Sequence, residues 1–214
     1  MSTSTVNSII ELIATVGILF LAIILHECAH GWTANKLGDP TAKLAGRLTL
    51  NPLKHIDPFG SIILPGILLL ISHLGYNTVV LGWAKPVPVN FYRLKHPRRD
   101  MMLVALAGPI TNILLAAAFS QFLRFDLSLQ IFNVVVFGVF INILLAVFNM
   151  IPIPPLDGSR IVLGLLPTKL ARAYGQLERY GILIIFALLY LGVLHTIVAP
   201  ILHFMGNMFG VNLE

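Results

Sequence analysis

Charge-free runs punctuate this chain. The first apolar stretch, about 6–25, is interrupted by Glu11 and runs into His26-Glu27. Residues 58–84, 101–123, 127–156 and 180–213 contain no Asp, Glu, Lys or Arg. A membrane-crossing helix needs about 20 consecutive apolar residues. The pattern predicts helices over 7–35, 59–75, 101–123, 129–150 and 178–206, the last kinked at Pro200 or broken into two segments. Residues 76–89 read differently. Tyr76-Asn77-Thr78-Val79-Val80-Leu81 is β-branched and short, and Pro86-Val87-Pro88 forbids helix. A strand or extended segment is expected there: 59–75 enters the membrane as a helix, 76–84 returns to the same side as extended chain or a second short crossing, and an exposed edge is open to strand addition by an unwound substrate. The fold class is all-α polytopic membrane protein, with about five to six transmembrane helices and a re-entrant or extended segment around 76–89. Residues 1–214 are expected to form one integral-membrane domain.

Composition sharpens this picture. The chain is 57% hydrophobic and 11% charged, against about 25% charged in an ordinary soluble domain. So few charges cannot cover a soluble surface, and a nucleic-acid partner is excluded as the leading idea. The 14 Lys+Arg collect in the gaps between apolar runs. Four lie in 36–54, five in 85–99 and four in 160–179, with Arg124 alone between 101–123 and 129–150. If all three rich loops are cytoplasmic, the amino terminus lies outside. The single cysteine, Cys28, makes no internal disulfide and is read as packing.

His26-Glu27-Cys28-Ala29-His30 carries the strongest chemical signal. Histidines at i and i+4 share a helical face and can both reach one ion. Zn²⁺ accepts such nitrogens, a catalytic site adds a third protein ligand, and the Glu beside the first His can take a proton from water. Ionisable residues in or beside a spanning helix default to function. Among the remaining acids Asp157 stands out, because it follows Pro152-Ile153-Pro154-Pro155-Leu156 and precedes Gly158. A carboxylate held by such a rigid segment suits a metal ligand; it equally suits the N-cap of a short helix over 158–166, and the two roles are compatible. Asn112 stands one turn after Gly108. It either grips substrate or an oxyanion, or bonds between helices. Asn149 either binds substrate or braces the proline turn. His195 and His203 read as interfacial, and His55 and Asp57 as a solvated loop.

His26-Glu27-x-x-His30, then Ala107-Gly108-Pro109-Ile110-Thr111-Asn112, then Asn149-x-x-Pro152-x-x-Pro155-x-Asp157-Gly158 together resemble the three signatures of the site-2 protease family. Gly82-Trp83-Ala84-Lys85-Pro86-Val87-Pro88-Val89-Asn90 also resembles a segment of its bacterial and archaeal members. The resemblance spans about 20–165, with the motif-bearing core at about 7–165 and a further membrane segment at 178–206. It implies an intramembrane zinc metalloprotease with His26, His30 and Asp157 as ligands of one Zn²⁺ and Glu27 as catalytic base. The implied partners are the lipid bilayer and a membrane-protein substrate cut within or near a transmembrane helix. The implied location is a prokaryotic cell membrane, with the active site toward the cytoplasm. Ser159 stands where many members have Gly, and the chain resembles the minimal members without PDZ or CBS domains. The alternatives are a metal-binding membrane transporter, in which Glu27 has no role, and a catalytically silent scaffold.

Overall fold

The computed structural model describes the backbone of residues 3–76 and 82–213, with side chains from Ser8 onward. Among them the apolar runs form helices and no strand. Helix α1 (Thr3–Lys36) is closed by Asp39 N–H donating to Ala34 O (2.9 Å). A short helix α2 (Thr41–Leu44) follows. A π-helical turn (Pro58–Ile63), capped by Asp57 Oδ1 accepting from Gly60 N–H (2.7 Å), continues into α3 (Leu64–His73). Helix α4 (Pro97–Phe122) starts on a proline at its first position, and Asp100 Oδ2 accepts from the His96 N–H (2.8 Å). Helix α5 (Leu129–Asn149) ends at the proline-rich turn. Then come α6 (Asp157–Leu165), α7 (Thr168–Gly175), a 3₁₀ turn (Gln176–Tyr180), α8 (Gly181–Tyr190) and α9 (Val193–Met208).

Three of these helices are long and apolar enough to cross a membrane: Ser8–Lys36, Pro97–Phe122 and Leu129–Asn149. The bent pair Thr168–Tyr190 and Val193–Met208 makes a fourth if it counts as one span, and the apolar Pro58–His73 is shorter. The all-α polytopic class holds. Of the two forms expected for 178–206, a kink at Pro200 or a break into two segments, the structure has the break: the chain turns by 77° between Tyr190 and Val193. Pro200 sits inside α9, while Gly192 adopts φ +72°, a left-handed conformation that costs glycine nothing. The break therefore falls at the glycine, and α8 is left too short to span alone.

Helix directions follow from the contacts. On α1 and α4, Ala22 pairs with Asn112 and His30 with Val104, so the two helices are antiparallel. On α5, Asn133 donates to Glu11 near the start of α1 (3.1 Å), while Asp157, just beyond the end of α5, meets His26 and His30. Helices α1 and α5 thus run the same way, as a shared metal requires. Ala116, Val139, Ile143, Val147, Ile151, Leu194 and Val198 form the main core where α4, α5 and α9 meet. The outward faces of α1, α4, α5 and α9 leave Leu12, Ile13, Leu114, Ile131 and Phe204 exposed, as a lipid-facing surface does.

Region 37–95 leaves and returns at one end of the bundle. Lys95 N–H donates to Leu37 O (3.1 Å), and Leu94 packs with Ala34 and Val104. Of the segment expected to be a strand or extended chain, residues 77–81 lie outside the described residues. Residues 82–90 have no helix and no strand ladder; they form a strap tied down at intervals. Trp83 N–H donates to Gly60 O (3.1 Å), Lys85 N–H to His55 O (2.9 Å), Val87 N–H to Glu27 Oε2 (2.7 Å) and Asn90 N–H to Asp39 Oδ2 (2.6 Å). Pro86 and Pro88 have no N–H to offer. Carbonyls of the 55–60 stretch and two carboxylates, rather than a neighbouring strand, therefore take its donors.

Candidate active site

His26 and His30, one helical turn apart on α1, are both buried, and their rings meet edge to face at 4.6 Å between centroids. Helix α4 crosses α1 at Gly108. A Cβ there would stand 2.5 Å from His30 Nε2 and 2.6 Å from His26 Nε2, so the glycine of the second motif makes room for the two imidazoles. The third motif delivers Asp157. The turn after α5 is closed by Ile153 N–H to Ile151 O (2.8 Å) and Leu156 N–H to Ile153 O (2.9 Å), and its Pro154–Pro155 bond is cis. A Cβ at Gly158 would strike Met150 O and Ile151 O, so glycine lets the start of α6 fold back onto the end of α5.

Asp157 Oδ2 lies 3.2 Å from both His26 Nε2 and His30 Nε2, yet it is buried without a hydrogen-bond partner. The candidate ligand atoms of the three residues lie within 4.8 Å of one another, and among the described residues no other such group forms. Two ligands about 2.0–2.1 Å from a tetrahedral zinc stand about 3.3–3.4 Å apart. The spacing, the orphaned oxygen and the His₂-carboxylate donor set all fit a zinc ion. The N-cap alternative for Asp157 is not what the structure has: Asp157 is the first residue of α6, and the preceding Leu156 makes no side-chain cap bond.

The outer nitrogens are also accounted for. His30 Nδ1 donates to Val104 O (2.7 Å), and His26 Nδ1 donates to Asn112 Oδ1 (2.5 Å). Each proton sits on Nδ1, which leaves both Nε2 lone pairs free. Asn112, fully buried, passes its amide hydrogens to Ala22 O (3.3 Å) and Asn142 Oδ1 (2.9 Å). Asn149 Nδ2 bonds Leu145 O of its own helix (2.9 Å), neither bracing the proline turn nor reaching the histidines. The Glu27 carboxylate accepts from Val87 N–H of the strap.

Sequence reasoning missed Asn142, Val87 and the buried anchor Asp39. Asn142 had a signal in its spacing, seven residues before Asn149 in a stretch of α5, 134–148, that is otherwise apolar. Val87 acts through its main-chain N–H, and the Asp39 carboxylate accepts from the main-chain N–H of Asn90; neither pairing is reported by a residue pattern. His55, expected to be solvated, is buried with Nε2 donating to Thr49 O (2.8 Å). Cys28 points to Thr49 O (3.4 Å), away from the histidines.

Comparison with known proteins gives a consistent family. Residues 125–192 match the model described as Peptidase family M50. The chain is 39% identical over 188 residues to the Bacillus subtilis (strain 168) protein named "Putative zinc metalloprotease YwhC", covering 79% of this chain and 77% of the relative. It is 31% identical over 172 residues to "Putative zinc metalloprotease Rip2" of Mycolicibacterium smegmatis, covering 79% of this chain and 63% of that relative. "Zinc metalloprotease MJ0392" of Methanocaldococcus jannaschii is 23% identical over 164 residues, which are 75% of this chain and 35% of that protein. No solved structure matches the chain significantly. The site geometry and these similarities agree: the chain belongs to peptidase family M50, the site-2 protease family of zinc metalloproteases.

Proposed function

We propose that the chain hydrolyses peptide bonds within or near the transmembrane segments of other membrane proteins, with His26, His30 and Asp157 as ligands of one zinc ion and Glu27 as general base. One observation carries this reading. Two imidazole nitrogens and an orphaned carboxylate oxygen converge beside Glu27, on a helix apolar enough to cross a membrane. Zinc, when bound, polarises the scissile carbonyl and lowers the pKa of the attacking water to about 7.

The chain's own residues do the rest. Glu27 takes a proton from the attacking water and delivers it to the leaving amine. The strap restrains that carboxylate through Val87 N–H. The Nδ1 bonds of His26 and His30 hold both rings in the tautomer that ligation needs. An apolar cavity of about 660 Å³ between α4, the Met150–Ile153 turn and α9 supports an apolar peptide as substrate. A helical substrate has its amides already bonded within the helix, so it must unwind locally to expose a carbonyl. The basic loops on either side of the apolar segment 59–84 support an active site that opens toward the cytoplasm.

The test uses the purified full chain with a single-span candidate substrate. Glu27→Gln should retain zinc while cleavage falls about 10²–10⁴-fold, the usual worth of a general base. His26→Ala, His30→Ala and Asp157→Ala should each lower bound zinc. Undiminished cleavage by Glu27→Gln would remove it as base, and full zinc occupancy in Asp157→Ala would remove that residue as ligand. Zinc retention by the wild type with no cleavage of any membrane peptide would favour transport or a silent scaffold.

A further inference from the structure

We propose that Asn142, on α5 and remote from the zinc ligands in sequence, is a positioning residue that sets the tautomer of His26 through Asn112. This rests on His26 being a zinc ligand, as argued above.

The direction of every hydrogen bond in the relay is determined by groups that cannot reverse. Gly138 O accepts from Asn142 Nδ2 (2.8 Å), and a carbonyl can only accept. The Asn142 amide is thereby oriented, with Oδ1 turned to Asn112 Nδ2 (2.9 Å). Ala22 O, also only an acceptor, takes the second hydrogen of Asn112 (3.3 Å). Asn112 must then present Oδ1 to His26 Nδ1 (2.5 Å). An acceptor at that position demands a proton on Nδ1, so the neutral ring presents its Nε2 lone pair toward Asp157 Oδ2. Asn112 and Asn142 are both fully buried, so no water competes to scramble the order. His30 differs: its Nδ1 is held directly by the main-chain carbonyl of Val104, which no side-chain substitution removes. Only the His26 half of the site depends on replaceable side chains, and Asn142 is the outermost of them.

The experiment measures zinc affinity of the purified full chain by competition with a chromophoric chelator. The visible spectrum of the Co²⁺-substituted protein is recorded alongside. Asn112→Leu should weaken zinc binding about 10–100-fold, as loss of a ligand's outer partner does elsewhere. Asn142→Leu should weaken it in the same direction but less, because Ala22 O still orients Asn112, and both should alter the Co²⁺ spectrum. In the Asn112→Leu background, Asn142→Leu should have no further effect, since the relay is already cut. Ser120→Ala, which removes a buried hydroxyl of α4 outside the relay, should leave zinc affinity unchanged. Should Asn142→Leu fail to fold, Asn142→Ser is read instead, because serine bonds the carbonyl four residues back in its own helix but is too short for Asn112. Wild-type affinity and spectrum in the Asn142 variant, or additive losses in the double variant, would overturn the relay. Full zinc retention by His26→Ala would overturn the ligand reading instead.

Discussion

At the scale of single residues, what surrounds a catalytic group matters as much as the group itself. Gly108 illustrates this. It carries no chemistry, yet a methyl group in its place would stand 2.5 Å from His30 Nε2, well inside van der Waals contact. Gly108→Ala should therefore abolish stoichiometric zinc while helix content is retained. Metal analysis together with circular dichroism of the purified variant checks this. Alanine is otherwise a better helix former than glycine by about 1 kcal/mol, so wild-type zinc content in a more stable protein would show that α4 can shift away from α1. Asn112 was legible as a polar residue needing a partner in lipid. Which partner it finds was not, because His26, Ala22 and Asn142 come together only when three helices pack.

At the scale of elements, the strap 82–90 takes the extended form that was one of the two expected over 76–89, and only its partners were hidden: its donors go to Gly60, His55, Glu27 and Asp39. The strap therefore acts on the site through a main-chain N–H. Val87→Pro removes that N–H, and a hydrogen bond to a charged group is worth about 1.5–3 kcal/mol. Turnover should fall about 10-fold or more relative to Val87→Ala, which shortens the same side chain but keeps the N–H. Zinc content should be equal in the two variants, and steady-state cleavage with metal analysis measures both. Equal turnover would mean that the contact with Glu27 is incidental to catalysis. Asp39, fully buried and accepting from Thr41 and Asn90, anchors the far end of the strap. Asp39→Ala leaves the Asn90 N–H without its acceptor and should cost about 1–3 kcal/mol, seen as a lower unfolding temperature in detergent.

At the scale of the whole molecule, the zinc site and the topology constrain each other. Parallel α1 and α5 with antiparallel α4 between them bring the C-terminal end of α1 and the turn after α5 to one level. Region 37–95 starts and finishes at that same end, where Lys95 N–H meets Leu37 O. Lys43 and Lys95 should consequently lie on one side of the membrane. Single-cysteine probes at these positions in a Cys28→Ser background should both react only with reagent admitted to the cytoplasm. Reaction of Lys95→Cys with an impermeant reagent outside intact cells would reject the proposed orientation. Reaction of the two positions from opposite sides would conflict with the fold itself.

The amino-acid sequence by itself determined the polytopic helical class, three of the long helices to within a few residues, and the grouping of His26, His30 and Asp157. Hydrophobic run length, helical spacing and proline positions are local properties, and they survive in one dimension. It also carried the helix directions, because one ion cannot be shared from opposite faces of a bilayer. Only the tertiary structure decided where the last apolar run breaks, what the strap pairs with, and how Asn142 joins the site. Each of those outcomes depends on which backbone carbonyl or buried amide stands opposite a given donor. Partners of that kind are supplied by residues up to 90 positions away, and only packing brings them within hydrogen-bond reach.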